Sequence, residues 1–231
     1  SLLTMKAPKS LPATSKSVPS DDLRGKILAD FAALNVPFSA EALDTATARA
    51  EREGLSHLEF LHLVIAEQAA RRRERSIARR IREACFHEAK TLVTFDWQFN
   101  AKAIDRARIE DLATGEFIRR RDNLVLAGQS GVGKSHIIQA VAQQACVLGW
   151  RVRYTTSADL LMDLRASLAD QTLPTRVRYY AKFDLLIIDE FGFDRLERAE
   201  APQAASLLYK VVDARSEHRS TALVTNIEFE A

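Results

Sequence analysis

Eight residues constrain this chain more than any others. Residues 128–135 read Gly-Gln-Ser-Gly-Val-Gly-Lys-Ser, which fits G-x-x-x-x-G-K-[ST] at every fixed position. Asn123-Leu-Val-Leu-Ala just before it reads as a buried strand. The stretch from about Lys134 to Leu148 reads as a helix, with Gly149 ending it. A loop in that setting can wrap a phosphate chain. Gly128, Gly131 and Gly133 have no Cβ to hold the backbone away, and the loop amides and the first helical turn carry partial positive charge. The expected cradle is Gly128, Gln129, Ser130, Gly131, Val132, Gly133, Lys134 and Ser135, with His136 at its exit. Lys134 is expected to reach the terminal phosphates of ATP or ADP, and Ser135 to offer its hydroxyl to Mg²⁺. The His136 side chain is expected to pack or to face solvent.

Other segments supply the rest of an α/β pattern. Arg151-Val-Arg-Tyr-Thr alternates as a second strand. Thr156 or Ser157 then caps a helix through about Asp170 whose apolar stripe is Leu160, Leu161, Leu164 and Leu168. Asp184-Leu-Leu-Ile-Ile-Asp is a third strand, and a helix follows it with Leu207, Leu208, Val211 and Val212 on one face. Thr221-Ala-Leu-Val-Thr-Asn is a fourth strand. Strands that alternate with helices predict a parallel sheet covered on both faces. A carboxylate just past a buried strand lies where open α/β sheets bind ligands. Asp189 is therefore expected to hold Mg²⁺ through water, and Glu190 to take a proton from an attacking water. Thr225-Asn226 ends the fourth strand. Its signal alone is weak, because Asn is common where strands become turns.

No strand pattern precedes residue 120. Residues 1–20 hold Pro8, Pro12 and Pro19, several serines and no acid, a composition that predicts a flexible tail. Leu23, Ile27, Leu28, Phe31 and Leu34 recur at helical spacing until Asn35-Val36-Pro37 breaks them. Ser39 can cap a second helix that runs to about Glu53 and stops at Gly54. Ser56 and Glu59 form a capping box that opens a third helix with Leu58, Leu61, Leu63, Val64 and Ile65, continuing to about residue 83.

Charge is unevenly placed along that third helix. Residues 71–121 carry 14 basic and 8 acidic groups, whereas residues 1–70 carry 7 and 9. Arg72, Arg75, Arg79 and Arg82 are three or four apart and share a helix face, a row able to sit on duplex phosphates without reading bases. A solvated face paired with acids elsewhere is the competing explanation. Arg119-Arg120-Arg121 is expected to be a solvated entrance to the first strand, with contact to DNA or nucleotide as the alternative, and Phe95, Trp97 and Phe99 are expected to pack between modules.

Composition excludes other classes. Hydrophobic residues at 47% and charged residues at 28% argue against a disordered or fibrous chain. The longest strongly apolar run, Leu185 to Ile188, is far too short for a bilayer, so no membrane partner is expected. Cys85 and Cys146 cannot form a disulfide framework, and no Cys/His spacing suggests zinc, which makes an intracellular, cytoplasmic setting the expectation.

The phosphate loop is shared by many ATPases, but the whole series of segments is more specific. It comprises the arginine-rich helix, Thr91-Leu-Val-Thr-Phe-Asp-Trp-Gln-Phe, Gly-Val-Gly-Lys-Ser-His, Tyr154-Thr-Thr-Ser-Ala-Asp-Leu-Leu, Asp184-Leu-Leu-Ile-Ile-Asp-Glu-Phe-Gly and Ser220-Thr-Ala-Leu-Val-Thr-Asn. From about Arg71 to Phe229 the chain resembles the IstB-like transposition helper ATPases, AAA+ proteins related to DnaC-like helicase loaders. The resemblance implies an AAA+ parallel sheet over residues 91–231, preceded by a small all-helical domain over 21–90. It places Asn226 against the γ-phosphate, where it would orient the water. It also implies a homo-oligomer that hydrolyses ATP on duplex DNA, largely without sequence preference, and assists a transposase in target selection and insertion. The alternative partner is a replicative helicase. A phosphate-loop kinase and a nucleotide-gated scaffold without turnover are more distant readings. AAA+ proteins continue past the Asn-bearing strand with an arginine finger, a fifth strand and usually a lid, which the resemblance implies lie beyond Ala231. Arg215 and Arg219 precede that strand and are poor substitutes for the finger.

Overall fold

The computed structural model describes residues 20–98, 104–192 and 201–226. The tail expected over residues 1–20, apart from Ser20, and the third aromatic residue, Phe99, lie outside the described residues. The contacts divide the chain into two compact units, Ser1–Arg73 and Glu74–Ala231.

The first unit is helical. It contains α1 (Ser20–Ala33), α2 (Ala40–Glu53) and the opening turns of α3 (His57–Ala84). The caps read from sequence form as side-chain bonds. The Ala42 amide donates to Ser39 Oγ at 3.1 Å, and Gly54 takes a left-handed φ of 62° with its amide bonded to Ala50 O. At α3 the Glu59 amide donates to Ser56 Oγ (3.3 Å), while Glu59 Oε2 accepts from the Ser56 amide (2.7 Å). Arg24 joins α1 to α2 through a two-pronged bond to Asp44, at 2.8 and 2.6 Å. Along α3 Val64 is buried, whereas Leu58, Leu61 and Ile65 are more than half exposed. Val64 lies one turn from Gln68, which is also buried.

The second unit holds the end of α3, α4 (Arg106–Ala113), α5 (Glu116–Arg120), β1 (Leu124–Ala127), α6 (Lys134–Leu148), β2 (Val152–Thr156), α7 (Ser157–Ala169), α8 (Leu173–Ala181), β3 (Leu185–Phe191), α9 (Ala201–Arg215) and β4 (Ser220–Thr225). The strands form a parallel sheet in the order β1-β4-β3-β2. Alternation along β3 explains the cover on both faces. Leu185 and Ile187 join the core formed with α6, whereas Leu186 and Ile188 join the opposite core formed with α7 and α9. The contact boundary falls before residue 90 because the last turns of α3 belong to this unit: Ala84 is fully buried in the α6-side core and Ile81 packs against it.

Three expectations are adjusted. β1 is not a buried strand but, among the described residues, a sheet edge with Val125 56% exposed. Leu168 and Val212 lie at the outer margins of their stripes, 43% and 37% exposed. The short helices α4, α5 and α8 were not predicted, because eight, five and nine residues give periodicity too few turns to show. The cap of α7 is Thr156, whose Oγ1 accepts from the Asp159 amide at 3.1 Å.

Arg215 holds the N-terminal edge of the sheet. It is fully buried, and its guanidinium donates to Thr221 Oγ1 (3.0 Å) and to the carbonyls of Tyr180 (2.7 Å), Phe183 (2.8 Å) and Ser220 (2.5 Å). Burial pulls its pKa down to about 10, so it stays charged near neutrality. This arginine ties the end of α9 to α8 and to the start of β4. We expect Arg215→Leu to lower unfolding stability by about 3 kcal/mol or more, because it strands several buried acceptors. Arg219→Leu removes a surface pair with Asp184 and an exposed bond to His218 O, and should cost less than about 1 kcal/mol. Denaturant midpoints of the two variants would check the contrast.

Candidate nucleotide site and basic helix

Because every strand runs the same way, their C-terminal ends share one edge of the sheet. The chain passes from β1 to the far edge at β2 and then steps back, so β4 lies between β1 and β3. The loop after β1, Asp189 and Glu190 at the end of β3, and Asn226 after β4 therefore open onto the same edge.

Gly131 and Gly133 have φ values of 81° and 94°, a region that residues with a Cβ rarely adopt. A Cβ on Gly133 would also meet the Phe95 ring at 3.4 Å, so the aromatic segment packs directly against the loop. Phe95 is buried and meets Trp97 edge-on at 4.9 Å, with Arg106 stacked over Trp97 at 4.8 Å. The first intrahelical bond of α6 runs from the Ile137 amide to Gly133 O, leaving the Lys134, Ser135 and His136 amides ahead of it. The His136 ring is taken up elsewhere, by Thr91 O at 3.4 Å and edge-on by Phe95 at 5.0 Å.

Lys134 is buried, and its ammonium donates to three oxygens at 2.7 Å each: Gly128 O, Gln129 O and Asn226 Oδ1. Burial lowers its pKa, and the nearby Asp189 charge acts the other way. Asp189 is 2% exposed. Its Oδ2 accepts from Tyr154 Oη at 2.6 Å, and its Oδ1 accepts from the Glu190 amide at 2.8 Å. The Tyr154 phenol is raised well above its ordinary pKa by burial first and by this bond second, so it remains a donor.

β3 breaks register here. Ile188 faces Leu223 and Phe191 faces Thr225, an extra residue on β3. Glu190 takes a left-handed φ of 56° and is exposed, while Ser157 Oγ donates to its carbonyl at 3.2 Å. The bulge thus buries one of two adjacent carboxylates and presents the other to solvent. Thr225 Oγ1 bonds Phe191 O at 2.8 Å where pairing resumes.

The donor chemistry suits Mg²⁺. Ser135 and Asp189 carry hard oxygen donors, and Asp189 is a buried carboxylate with no ion pair among the described residues. No group of three or more His, Cys, Asp or Glu among the described residues could hold a metal by itself. Beside the loop, a cleft of about 340 Å³ is lined by Ile104, Ile109, Leu112, Leu126 and Val132 among others.

The basic helix shows two sides. Arg72, Arg75, Arg79 and Arg82 are exposed. Arg80 instead turns to the core and donates to Cys146 O at 3.3 Å, in step with Ile81 and Ala84. Arg119, Arg120 and Arg121 are each occupied locally, by Glu116, Asp122 and Glu217 O. No helix among the described residues is long and apolar enough to cross a membrane. Sequence reading gave Tyr154 no role. The available signal was a tyrosine on the core-facing side of β2, since a buried phenol needs a partner.

Comparison with known proteins places this geometry. The family described as IstB-like ATP binding protein matches residues 29–231. The ATP-binding protein of insertion sequence IS5376 from Geobacillus stearothermophilus is 31% identical over 85% of this chain and 76% of its own length. An insertion-sequence ATP-binding protein of Mycobacterium tuberculosis is 32% identical over 76% of this chain and 68% of its own. Among solved structures, a DNA replication initiation factor aligns with a TM-score of 0.50 at 21% identity, covering 59% of this chain and 41% of that one. The replication initiator DnaA bound to AMPPCP and single-stranded DNA gives 0.50 at 20%, covering 62% and 43%. At that identity the likeness establishes the fold alone, a parallel sheet flanked by helices. We expect Lys134→Ala to weaken binding of a fluorescent ATP analogue at least about tenfold, the loss of charged hydrogen bonds, with circular dichroism unchanged.

Proposed function

This chain belongs to the IstB-like ATP binding proteins, and from that premise we propose that it hydrolyses ATP to ADP and phosphate as a homo-oligomer on duplex DNA, assisting a transposase in choosing and engaging its target. The observation that carries this reading is the 2.7 Å bond from Lys134 Nζ to Asn226 Oδ1, which joins the phosphate loop to the end of β4, with the buried Asp189 on the adjoining strand. The relatives' own designation as insertion-sequence proteins supports transposition over replication as the setting.

Each residue then has a task. The loop amides and Lys134 bind the β- and γ-phosphates, whose charged oxygens make stronger acceptors than the neutral carbonyls Lys134 now holds. Asn226, within reach of the same ammonium, contacts the γ-phosphate and orients the attacking water. Glu190, turned outward by the bulge, accepts that water's proton. Ser135 and Asp189 would hold Mg²⁺, which when bound offsets the negative charge of the phosphates. The apolar cleft beside Val132 takes the base. Arg72, Arg75, Arg79 and Arg82 rest on duplex phosphates and read no sequence.

ATP hydrolysis measured with and without duplex DNA tests the reading, with stimulation expected; phosphoryl transfer to a small molecule instead would favour a kinase. Glu190→Gln should keep ATP affinity and slow turnover by about 10²-fold or more; an affinity loss matching Lys134→Ala would contradict the role given to Glu190. Neutralising Arg72, Arg75 and Arg79 together should reduce the slope of log affinity against log salt by about three. An unchanged binding curve would eliminate this helix as the contact.

A further inference from the structure

Tyr154 is the group outside the phosphate loop that most directly controls where the Asp189 carboxylate points. It is 4% exposed on β2, and its hydroxyl bonds Asp189 Oδ2 at 2.6 Å. The Glu190 amide holds the other oxygen at 2.8 Å, so the two bonds together fix the rotation of the carboxylate about its own axis. The tyrosine ring is itself held in place. The His87 ring meets it edge-on at 5.0 Å and the Phe86 ring lies tilted at 6.3 Å. The preceding residue on β2, Arg153, donates from Nη1 to Glu83 O at 3.3 Å and to Cys85 Sγ, which ties the strand to the exit of α3 on which both rings stand. A carboxylate that binds a cation needs its lone pairs aimed, and partners one bond removed from a metal commonly change its affinity by about 10- to 100-fold.

We propose that Tyr154 is a positioning residue for Asp189, and that the affinity of this site for Mg²⁺ in the presence of nucleotide is set through its hydroxyl. This rests on the nucleotide reading above. The test is a Mg²⁺ titration of the full chain with a fluorescent ATP analogue, with a parallel nucleotide titration in EDTA. Tyr154→Phe removes a single oxygen atom. The Mg²⁺ midpoint should rise about tenfold, while affinity in EDTA should stay within about twofold, since the phosphate loop is untouched. Asp189→Asn supplies the second measurement. If Tyr154 acts through Asp189, adding Tyr154→Phe to Asp189→Asn should shift the Mg²⁺ midpoint no further, whereas independent effects would add. An unchanged midpoint in Tyr154→Phe beside a normal Mg²⁺ response in the wild type would overturn this assignment alone, and so would full additivity in the double variant. A wild type whose nucleotide affinity ignores Mg²⁺ would overturn the nucleotide reading and the assignment with it.

Discussion

A buried ammonium must be surrounded by acceptors, and Lys134 has three, drawn from two separate strand ends. That requirement explains much of the arrangement around it. Asn226 can reach the lysine only because β4 is inserted between β1 and β3, and β4 is there only because the chain crosses to β2 before returning. The strand order therefore assembles the polar cluster, and the hydrophobic cores on both faces keep the strands in register. Arg215 completes the scheme from the opposite edge. It caps the carbonyls at the beginning of the sheet much as Lys134 caps those at its end.

α3 belongs to both compact units, and it treats its two sides differently. Within the second unit, Ile81 and Ala84 enter the core and Arg80 bonds a carbonyl of α6, while Arg75, Arg79 and Arg82 are exposed. The side that could meet polyanions is thus carried on a helix whose other side is anchored. Its exit leads directly to the rings that pack on Tyr154. The exit of α3 and the β2 tyrosine pack together, and the tyrosine ends at a buried carboxylate.

The sequence made the strand–loop–helix core legible because its signals are local and chemically strict: the spacing of Gly128, Gly133, Lys134 and Ser135, a strand of pure apolar character before Asp189, and caps at Ser39, Ser56 and Thr156. Less legible features depend on distant partners. The exposure of Leu58, Leu61 and Ile65 could not be read from periodicity, which reports that a stripe exists and not whether anything covers it. The edge position of β1 follows from strand order, which no short window contains. Nothing near Tyr154 announces Asp189, since the two lie thirty-five residues apart and meet only through the pairing of β2 with β3. The bulge at Asp189 and Glu190 was equally silent.

That bulge bears on how this position can drift. Glu190 has a Cβ and a left-handed backbone, a combination that costs about 1 kcal/mol or more and that glycine or asparagine would relieve. Mutational screens that reward thermal robustness alone should thus enrich glycine or asparagine at this position, and laboratory evolution toward hardiness would erode the outward-facing acid first.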